Sequence, residues 1–374
     1  MELTESNTLK GLKICFIAGT LGVGGAERQL FLTIRTLIGM GSHVSLICLN
    51  TNEHWEAPIK ATGVNYFTLD GKGNKISRLF KIISIIAKIK PTIVQSHHYY
   101  TNLYAAIAGW WTRTASIGSS RSDLKFEIKQ NGIFGMPSLK WPRFFLFNSM
   151  KSFNLSLASG RNNSNTFYLP NSIDVAKFQF SDKSPEPNKE QVVLLAIGRL
   201  DQNKRFDKFI ELISKLKNSG YNSIKGILIG TGALEGYLKE YTKNAGLTKD
   251  NFEFISHTSE PEVFFKKADI FVLTSEFEGT PNVILEAMAS GLSVVSSKVG
   301  NLPFIIEDGL NGFFFDGKVD TLFKVIDNLV KNPEMRDMIA SNARKTIEEN
   351  FSMKTLETNL LYIYNAIGGQ VKKD

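Results

Sequence analysis

Two glutamates, Glu278 and Glu286, bracket the run Gly279-Thr280-Pro281-Asn282-Val283-Ile284-Leu285. Carboxylates so placed can work as an acid and a base, or accept hydrogen bonds from hydroxyl groups. Thr280 reads as a helix N-cap, Pro281 as the first helical residue and Gly291 as the stop. The start of such a helix offers backbone N–H groups and a positive dipole end to an anion. Glu286 then falls mid-helix in an apolar run. There it either lies on a solvated face or is buried with partners, because burying it bare is costly. Upstream, Gly198-Arg199 follows the apolar run Val192–Ile197, and Lys204 comes five residues later. Those two cations can converge on a diphosphate, Arg199 as a planar fork and Lys204 as a point charge.

Near the amino terminus stands Gly22-Val23-Gly24-Gly25-Ala26-Glu27. Paired glycines let a backbone approach a phosphate or sugar closely, or simply make a tight turn. The spacing is not G-x-G-x-x-G, and Leu49-Asn50-Thr51-Asn52 puts no acid after the second apolar run. Both facts argue against a nicotinamide enzyme. Ser96-His97-His98-Tyr99-Tyr100 closes another run, and Gly230-Thr231-Gly232 a third.

These groups need strands that end beside them. Apolar runs at Lys13–Ala18, Val44–Leu49 and Thr92–Ser96 alternate with helical patterns at 28–38 and 76–89. The series restarts with Val192–Ile197, a helix over 206–218, and runs at 224–229, 252–255 and 269–273. Strand–helix alternation predicts an α/β protein with parallel sheets whose loops bind ligands at the carboxyl strand ends. A chain of 374 residues suits two such domains. Ser181–Glu190 has a linker composition and places the hinge within 175–190. A last helical pattern at 352–367 has no strand after it.

Hydrophobic content of 43% and charged content of 21% belong to a soluble globular protein. No run of 18 apolar residues occurs and the first residues lack signal-peptide character, so a cytoplasmic location is expected. Cys15 and Cys48 lie inside predicted strands, read as reduced core thiols, and no metal-ligand spacing is present. Residues 1–170 hold 19 Lys/Arg against 8 Asp/Glu; the remainder holds 25 against 28. The basic half suits an anionic membrane or a phosphate-bearing substrate, while no nucleic-acid motif appears. Leu139–Phe147 mixes aromatics with Lys140 and Arg143. It reads as a packing helix or as a patch for an anionic membrane carrying a lipid-linked acceptor.

Together the motifs resemble glycosyltransferase family 4, the retaining nucleotide-sugar enzymes also called group 1, of GT-B fold. Glu278-x7-Glu286 resembles the family's signature, and Gly198-Arg199-Leu200…Lys204…Asp207 its diphosphate-binding stretch. Gly24-Gly25-x-Glu27 resembles the first glycine loop, His97 the strand-end histidine, and Leu169–Asp174 the interdomain element. The resemblance spans residues 12–365. It implies two Rossmann-like, doubly wound parallel-sheet domains facing each other across a cleft. The first, 1–180, would bind the acceptor and the second, 190–350, the donor, with a helix in 351–374 packing back on the first.

The implied activity is retaining, metal-independent hexosyl transfer from a UDP- or GDP-linked sugar, with no other cofactor. A glycan or lipid-linked acceptor is implied, in bacterial surface polysaccharide or glycolipid synthesis at the inner face of the membrane. Arg199 and Lys204 would neutralise the leaving diphosphate. Gly279, Thr280, Pro281 and Asn282 would hold donor phosphate and sugar hydroxyls. Glu278 would accept from the sugar and Glu286 from the ribose. Gly24, Gly25 and His97 would face the acceptor, with His97 and Glu278 beside the two cations at the reacting centre. A nucleotide-sugar epimerase of the same fold, or a non-catalytic sugar-binding relative, are the other readings. Ser172, Arg205 and Ser293 depart from the family's Gly, Gly and Pro. Asn154–Ser159 reads as a strand, with Gly160–Thr166 as a loop where the family has a helix.

Overall fold

The structure is a computed structural model that describes residues 9–69, 74–178, 191–256, 258 and 260–371. The expected linker at 181–190 and the first eight residues lie outside them. The chain folds as two units: one runs to Ser172 and resumes at Lys354, and the other is Ile173–Met353.

The first unit opens with β1 (Lys13–Ala18), α1 (Gly25–Gly39), β2 (His43–Cys48), α2 (Glu56–Lys60), β3 (Asn65–Thr68) and α3 (Lys75–Ile89). It continues with β4 (Ile93–Ser96), α4 (Asn102–Thr112), β5 (Ala115–Ser120), α5 (Leu124–Gln130) and α6 (Gly135–Lys140). Then come β6 (Phe144–Phe147), α7 (Met150–Ala158) and β7 (Thr166–Tyr168). The second unit opens with β8 (Val192–Ile197), α8 (Phe206–Asn218), β9 (Ile224–Ile229), α9 (Glu235–Asn244), β10 (Phe252–Ile255) and α10 (Pro261–Lys267). It closes with β11 (Ile270–Leu273), α11 (Asn282–Ala289), β12 (Ser293–Ser297), β13 (Phe313–Phe315), α12 (Val319–Lys331) and α13 (Pro333–Asn350). Helix α14 (Met353–Val371) returns to the first unit, where Tyr364 Oη donates to Gln95 Oε1 of β4 at 2.6 Å.

Among the described residues the first sheet runs β3-β2-β1-β4-β5-β6-β7 and the second β10-β9-β8-β11-β12-β13, every pair parallel. Parallel strands buried on both faces explain the unbroken apolar runs. In β8, Val193 and Leu195 join the core under α10, α11 and α13, while Leu194 and Ala196 join the core under α8 and α12. Each sheet reverses its winding once, between β1 and β4 and between β8 and β11. At such a reversal the flanking loops diverge and leave a crevice at the carboxyl strand ends. Cys15 and Cys48 are buried free thiols in β1 and β2, pushed up by burial to about 12 and about 11.

Three local expectations are corrected. Phe144–Phe147 is the buried strand β6, not part of a helix. Asn154–Ala158 belongs to α7 rather than to a strand, with Ser159 as its C-cap; Ser149 caps the other end by accepting from Ser152 N. A four-residue apolar run has no period of its own, so its sheet neighbours β5 and β7 decide its conformation. Helix α11 begins at Asn282, one residue later than expected, with Pro281 extended at the cap position and Thr280 outside. At the other end Gly291 adopts φ +69°. Leu292 N donates to Ala287 O and Gly291 N to Met288 O, the two bonds of a Schellman stop.

Candidate functional site

In the second unit the groups gather at the carboxyl ends of β8 and β11, on either side of the winding reversal. After β8, Asp201 accepts from the Asn203 and Lys204 amides at 3.1 and 3.3 Å, which folds the chain back toward β11. Asn203 and Lys204 are stitched to the loop after β11. Glu276 N donates to Asn203 O at 2.8 Å, Asn203 Nδ2 to Phe277 O at 2.7 Å, and Thr274 Oγ1 to Lys204 O at 2.8 Å. The result is a close pair: Lys204 Nζ lies 2.6 Å from Glu278 Oε1, with side chains 15% and 11% exposed. Arg199 lies at the same strand end, largely exposed, its Nε donating to Asp201 Oδ2 at 2.9 Å.

Arg205 occupies the left-handed conformation (φ +49°, ψ +44°) that glycine adopts freely. The departure from glycine therefore leaves the turn left-handed, and Asp207 and Glu276 bind the guanidinium. Gly230 must be glycine because a Cβ there would fall 1.9 Å from Gly198 O. Glu286 is 5% exposed within α11, so it is a buried carboxylate and not part of a solvated face. Thr280 and Pro281 are buried too, while Glu278, Gly279 and Asn282 are half-buried.

The first unit brings its groups to the ends of β1 and β4. Gly24 is the extended N-cap of α1, whose first turn carries the buried Glu27. His98 spans this corner: Gly19 N donates to its Nδ1 at 3.1 Å and its Nε2 lies 3.2 Å from Glu27 Oε1. A backbone N–H can only donate, so Nδ1 is unprotonated and Nε2–H faces the carboxylate. A Cβ on Gly24 would fall 2.2 Å from Glu27 Oε2, so any larger residue there must displace that carboxylate. His97 packs edge-on against the His98 ring, centroids 5.0 Å apart, and is fully buried, with Nε2 2.8 Å from Ala26 O and Nδ1 without a hydrogen-bond partner. Thus Gly24, Gly25 and His98 share one surface corner, and His97 lies beneath it.

Sequence reasoning missed three supporting side chains. Glu53 accepts from Thr20 Oγ1 at 2.7 Å and from Leu21 N, bracing the glycine loop. Nothing local announces that contact across 32 residues. His98 was overshadowed by His97. Asp201 was legible, since an Asp two and three residues before the amides it caps is a turn signal.

Two buried groups near this corner oppose each other in pH dependence. Burial, with Arg121 and His98 close by, holds His97 neutral well below the usual 6.5. Burial pushes Glu127 up to about 7, despite the Ser120 hydroxyl that donates to it. As pH falls below 6.5 the unfolded chain gains a proton at His97 that the folded chain refuses, so stability drops. Between pH 7 and the ordinary 4.5 of a glutamate the folded chain holds a proton on Glu127 that the unfolded chain has lost. Acidification therefore adds stability through that group, and the two slopes cancel from about pH 6.5 to 4.5. Glu127→Gln removes the compensating slope. Its urea-unfolding free energy is expected to fall by about 2 kcal/mol more than wild type between pH 6.5 and 5. Parallel pH profiles for the two proteins would contradict this account.

Comparison with known proteins matches both units. Residues 177–346 match the family model "Glycosyl transferases group 1" and residues 23–148 match "Glycosyltransferase Family 4". The capsular polysaccharide biosynthesis glycosyltransferase CapM of Staphylococcus aureus is 25% identical over 307 residues, 78% of this chain and 80% of that protein. An α-1,4-N-acetyl-D-galactosaminyltransferase of Campylobacter jejuni is 26% identical over 357 residues, covering 90% and 94%. Its substrate is named as a diphosphoundecaprenol-linked saccharide. Among solved structures, Anabaena HepE in complex with UDP superposes with a TM-score of 0.84 at 18% identity, covering 95% of this chain and all of that one. HepE with UDP-glucose gives a TM-score of 0.80 at 18% identity, covering 96% and 100%. With two doubly wound parallel sheets, the site loops at their winding reversals and family models matching both units, the chain belongs to the group 1 (family 4) glycosyltransferases of GT-B fold.

Proposed function

We propose that this glycosyltransferase moves a hexosyl group, with retention of configuration and without a metal, from a UDP- or GDP-linked donor on the second unit. The acceptor is a glycan or lipid-linked saccharide on the first unit, and the product feeds a bacterial surface polysaccharide or glycolipid. The observation that carries this reading is the Lys204–Glu278 pair, assembled across 74 residues at the β8/β11 reversal. An ammonium has three donors; Glu278 takes one and two remain for diphosphate oxygens. Arg199 adds a planar fork from the same strand end. Two cations facing a leaving diphosphate supply the charge stabilisation for which other enzymes use a divalent ion.

The second oxygen of Glu278 accepts from a sugar hydroxyl, and the buried Glu286 accepts from the nucleotide ribose. Gly279, Thr280, Pro281 and Asn282 form the turn between them, which places the start of α11 toward donor phosphate and sugar. The acceptor hydroxyl attacks the anomeric carbon from the face that the diphosphate leaves. The anomeric carbon–oxygen bond to phosphate breaks, the new glycosidic bond forms, and the acceptor's proton goes to the departing phosphate oxygen. No protein nucleophile is required. Gly24, Gly25 and His97 serve the acceptor side, His97 by supporting the corner through Ala26. The named substrate of the Campylobacter relative supports a lipid-linked acceptor, and UDP-glucose bound to HepE supports a uridine donor. Such an acceptor places the enzyme in the cytoplasm, at the inner face of the cell membrane.

Proton NMR of the sugar released or transferred from a panel of UDP- and GDP-sugars, in buffer containing a chelator, tests the chemistry. Product with the donor's anomeric configuration is expected. Inverted product, or turnover that needs added metal, would overturn the mechanism.

A further inference from the structure

Three of the chain's four tryptophans lie on one face of the first unit, and all three are exposed. Trp110 and Trp111 end α4 and Trp141 follows α6, with exposures of 77%, 62% and 61%. Trp110 and Trp141 line one open hollow of about 520 Å³ floored by Ala106 and Ile107. Ile133 and Phe134 extend the face from the turn before α6. Lys75, at the start of α3, lies 5.6 Å over the Phe134 ring, so α3 supplies the cationic edge there. Scattered exposed apolar residues are ordinary, but a contiguous cluster of this kind marks an interaction surface.

The charge around the face is of one sign. Residues 74–143 carry eleven Lys/Arg, among them Lys75, Arg113 and Lys140, against two acids, Asp123 and Glu127. Both acids are buried, so this stretch presents cations and aromatics to solvent. Tryptophan prefers the headgroup level of a bilayer, where its ring is buried and its N–H stays hydrated. Lysine and arginine beside it meet anionic headgroups. A protein partner of ordinary surface composition would answer some of these cations with acids in the face itself; this stretch has none exposed. The strand residues Phe144–Phe147, read from sequence as part of a membrane patch, are buried and take no part.

We infer that the α3–α4–α6 face of the first unit docks on an anionic lipid surface, with Trp110, Trp111 and Trp141 in the headgroup layer. Among the described residues no helix is long and apolar enough to cross a membrane, and this contact needs none. It deepens the reading of a lipid-linked acceptor, because it brings the first unit to the surface where that acceptor is anchored.

The test is co-sedimentation of the full chain with vesicles of phosphatidylcholine alone or with roughly one-third phosphatidylglycerol, together with tryptophan emission. Binding to the anionic vesicles, a blue shift on binding, and weakening by added salt are expected. Substituting Trp110, Trp111 and Trp141 together by serine should weaken binding at least about tenfold and abolish the shift. Arg113→Gln and Lys140→Gln should each weaken it about fivefold. Donor hydrolysis in vesicle-free buffer should be unchanged in all these variants, which keeps a folding defect, or failure of the donor assignment, distinguishable. Equal binding to neutral vesicles, no binding, or wild-type binding by the triple variant would overturn the inference. So would a wild-type dimer that the tryptophan substitutions convert to a monomer, since the face would then be covered by a second copy.

Discussion

Lys204→Ala is expected to lower donor-sugar turnover at least about a hundredfold and to destabilise the second unit by about 2 kcal/mol. Both effects come from one geometry. The ammonium sits 2.6 Å from Glu278 in a spot that leaves either side chain little solvent. Deleting it strands a carboxylate that is mostly shielded, and the penalty is the desolvation of an unpaired charge rather than the value of a surface ion pair. Turnover suffers separately, because the cation proposed to meet the diphosphate is gone. The two losses can be uncoupled. Lys204→Met combined with Glu278→Gln removes both charges and should recover most of the stability in urea unfolding while restoring no turnover. Recovery of activity together with stability would mean that the pair is structural only.

Gly300→Ala is expected to cost about 3 kcal/mol in stability and about a hundredfold in turnover, from a residue with no charge and no side chain. Gly300 has φ +55°, and a Cβ there would lie 2.4 Å from both Glu278 O and Gly279 O. Those are backbone atoms, so no side chain can swing aside. The adjacent Asn301 N donates to Gly279 O at 2.8 Å, which ties the same loop down from the other side. The methyl group must therefore displace Glu278 and Gly279, and displacement near a reacting centre is costly in rate. Gly309→Ala supplies the control: φ is +80° but the space beside it is open. It should show only the backbone cost, about 1 kcal/mol, with turnover unchanged. Equal effects of the two substitutions on activity would contradict the role of the Gly300 contact.

Much of this was legible in the sequence because parallel sheets place function at fixed points. Gly198-Arg199 and Glu278 follow the strands that flank a winding reversal, so apolar runs and the motifs after them sufficed to bring these residues to one strand-end corner. The apolar neighbours of Glu286 left a solvated face and a partnered burial both open, and the fold buries it. What stayed hidden is tertiary. Phe144–Phe147 is a strand because two other strands pair with it, and its own four residues carry no period to say so. His97 and His98 are adjacent in sequence, yet one is sealed beneath α1 and the other joins Gly19 to Glu27. Glu53 supports a loop from the end of another strand, and a Cβ on Gly300 would clash with a loop 22 residues earlier. Contacts of that range have no local signature.

The central claim is that Arg199, Lys204, Glu278 and Glu286 together hold a nucleotide diphosphate sugar. Calorimetric titration of wild type and Glu286→Ala with a panel of UDP- and GDP-sugars tests it most directly. At least one sugar should bind wild type with saturation, and the same sugar should bind Glu286→Ala at least about tenfold more weakly while the variant unfolds at the wild-type urea midpoint. No saturable binding by any member of the panel, or equal affinity in the two proteins, would contradict it.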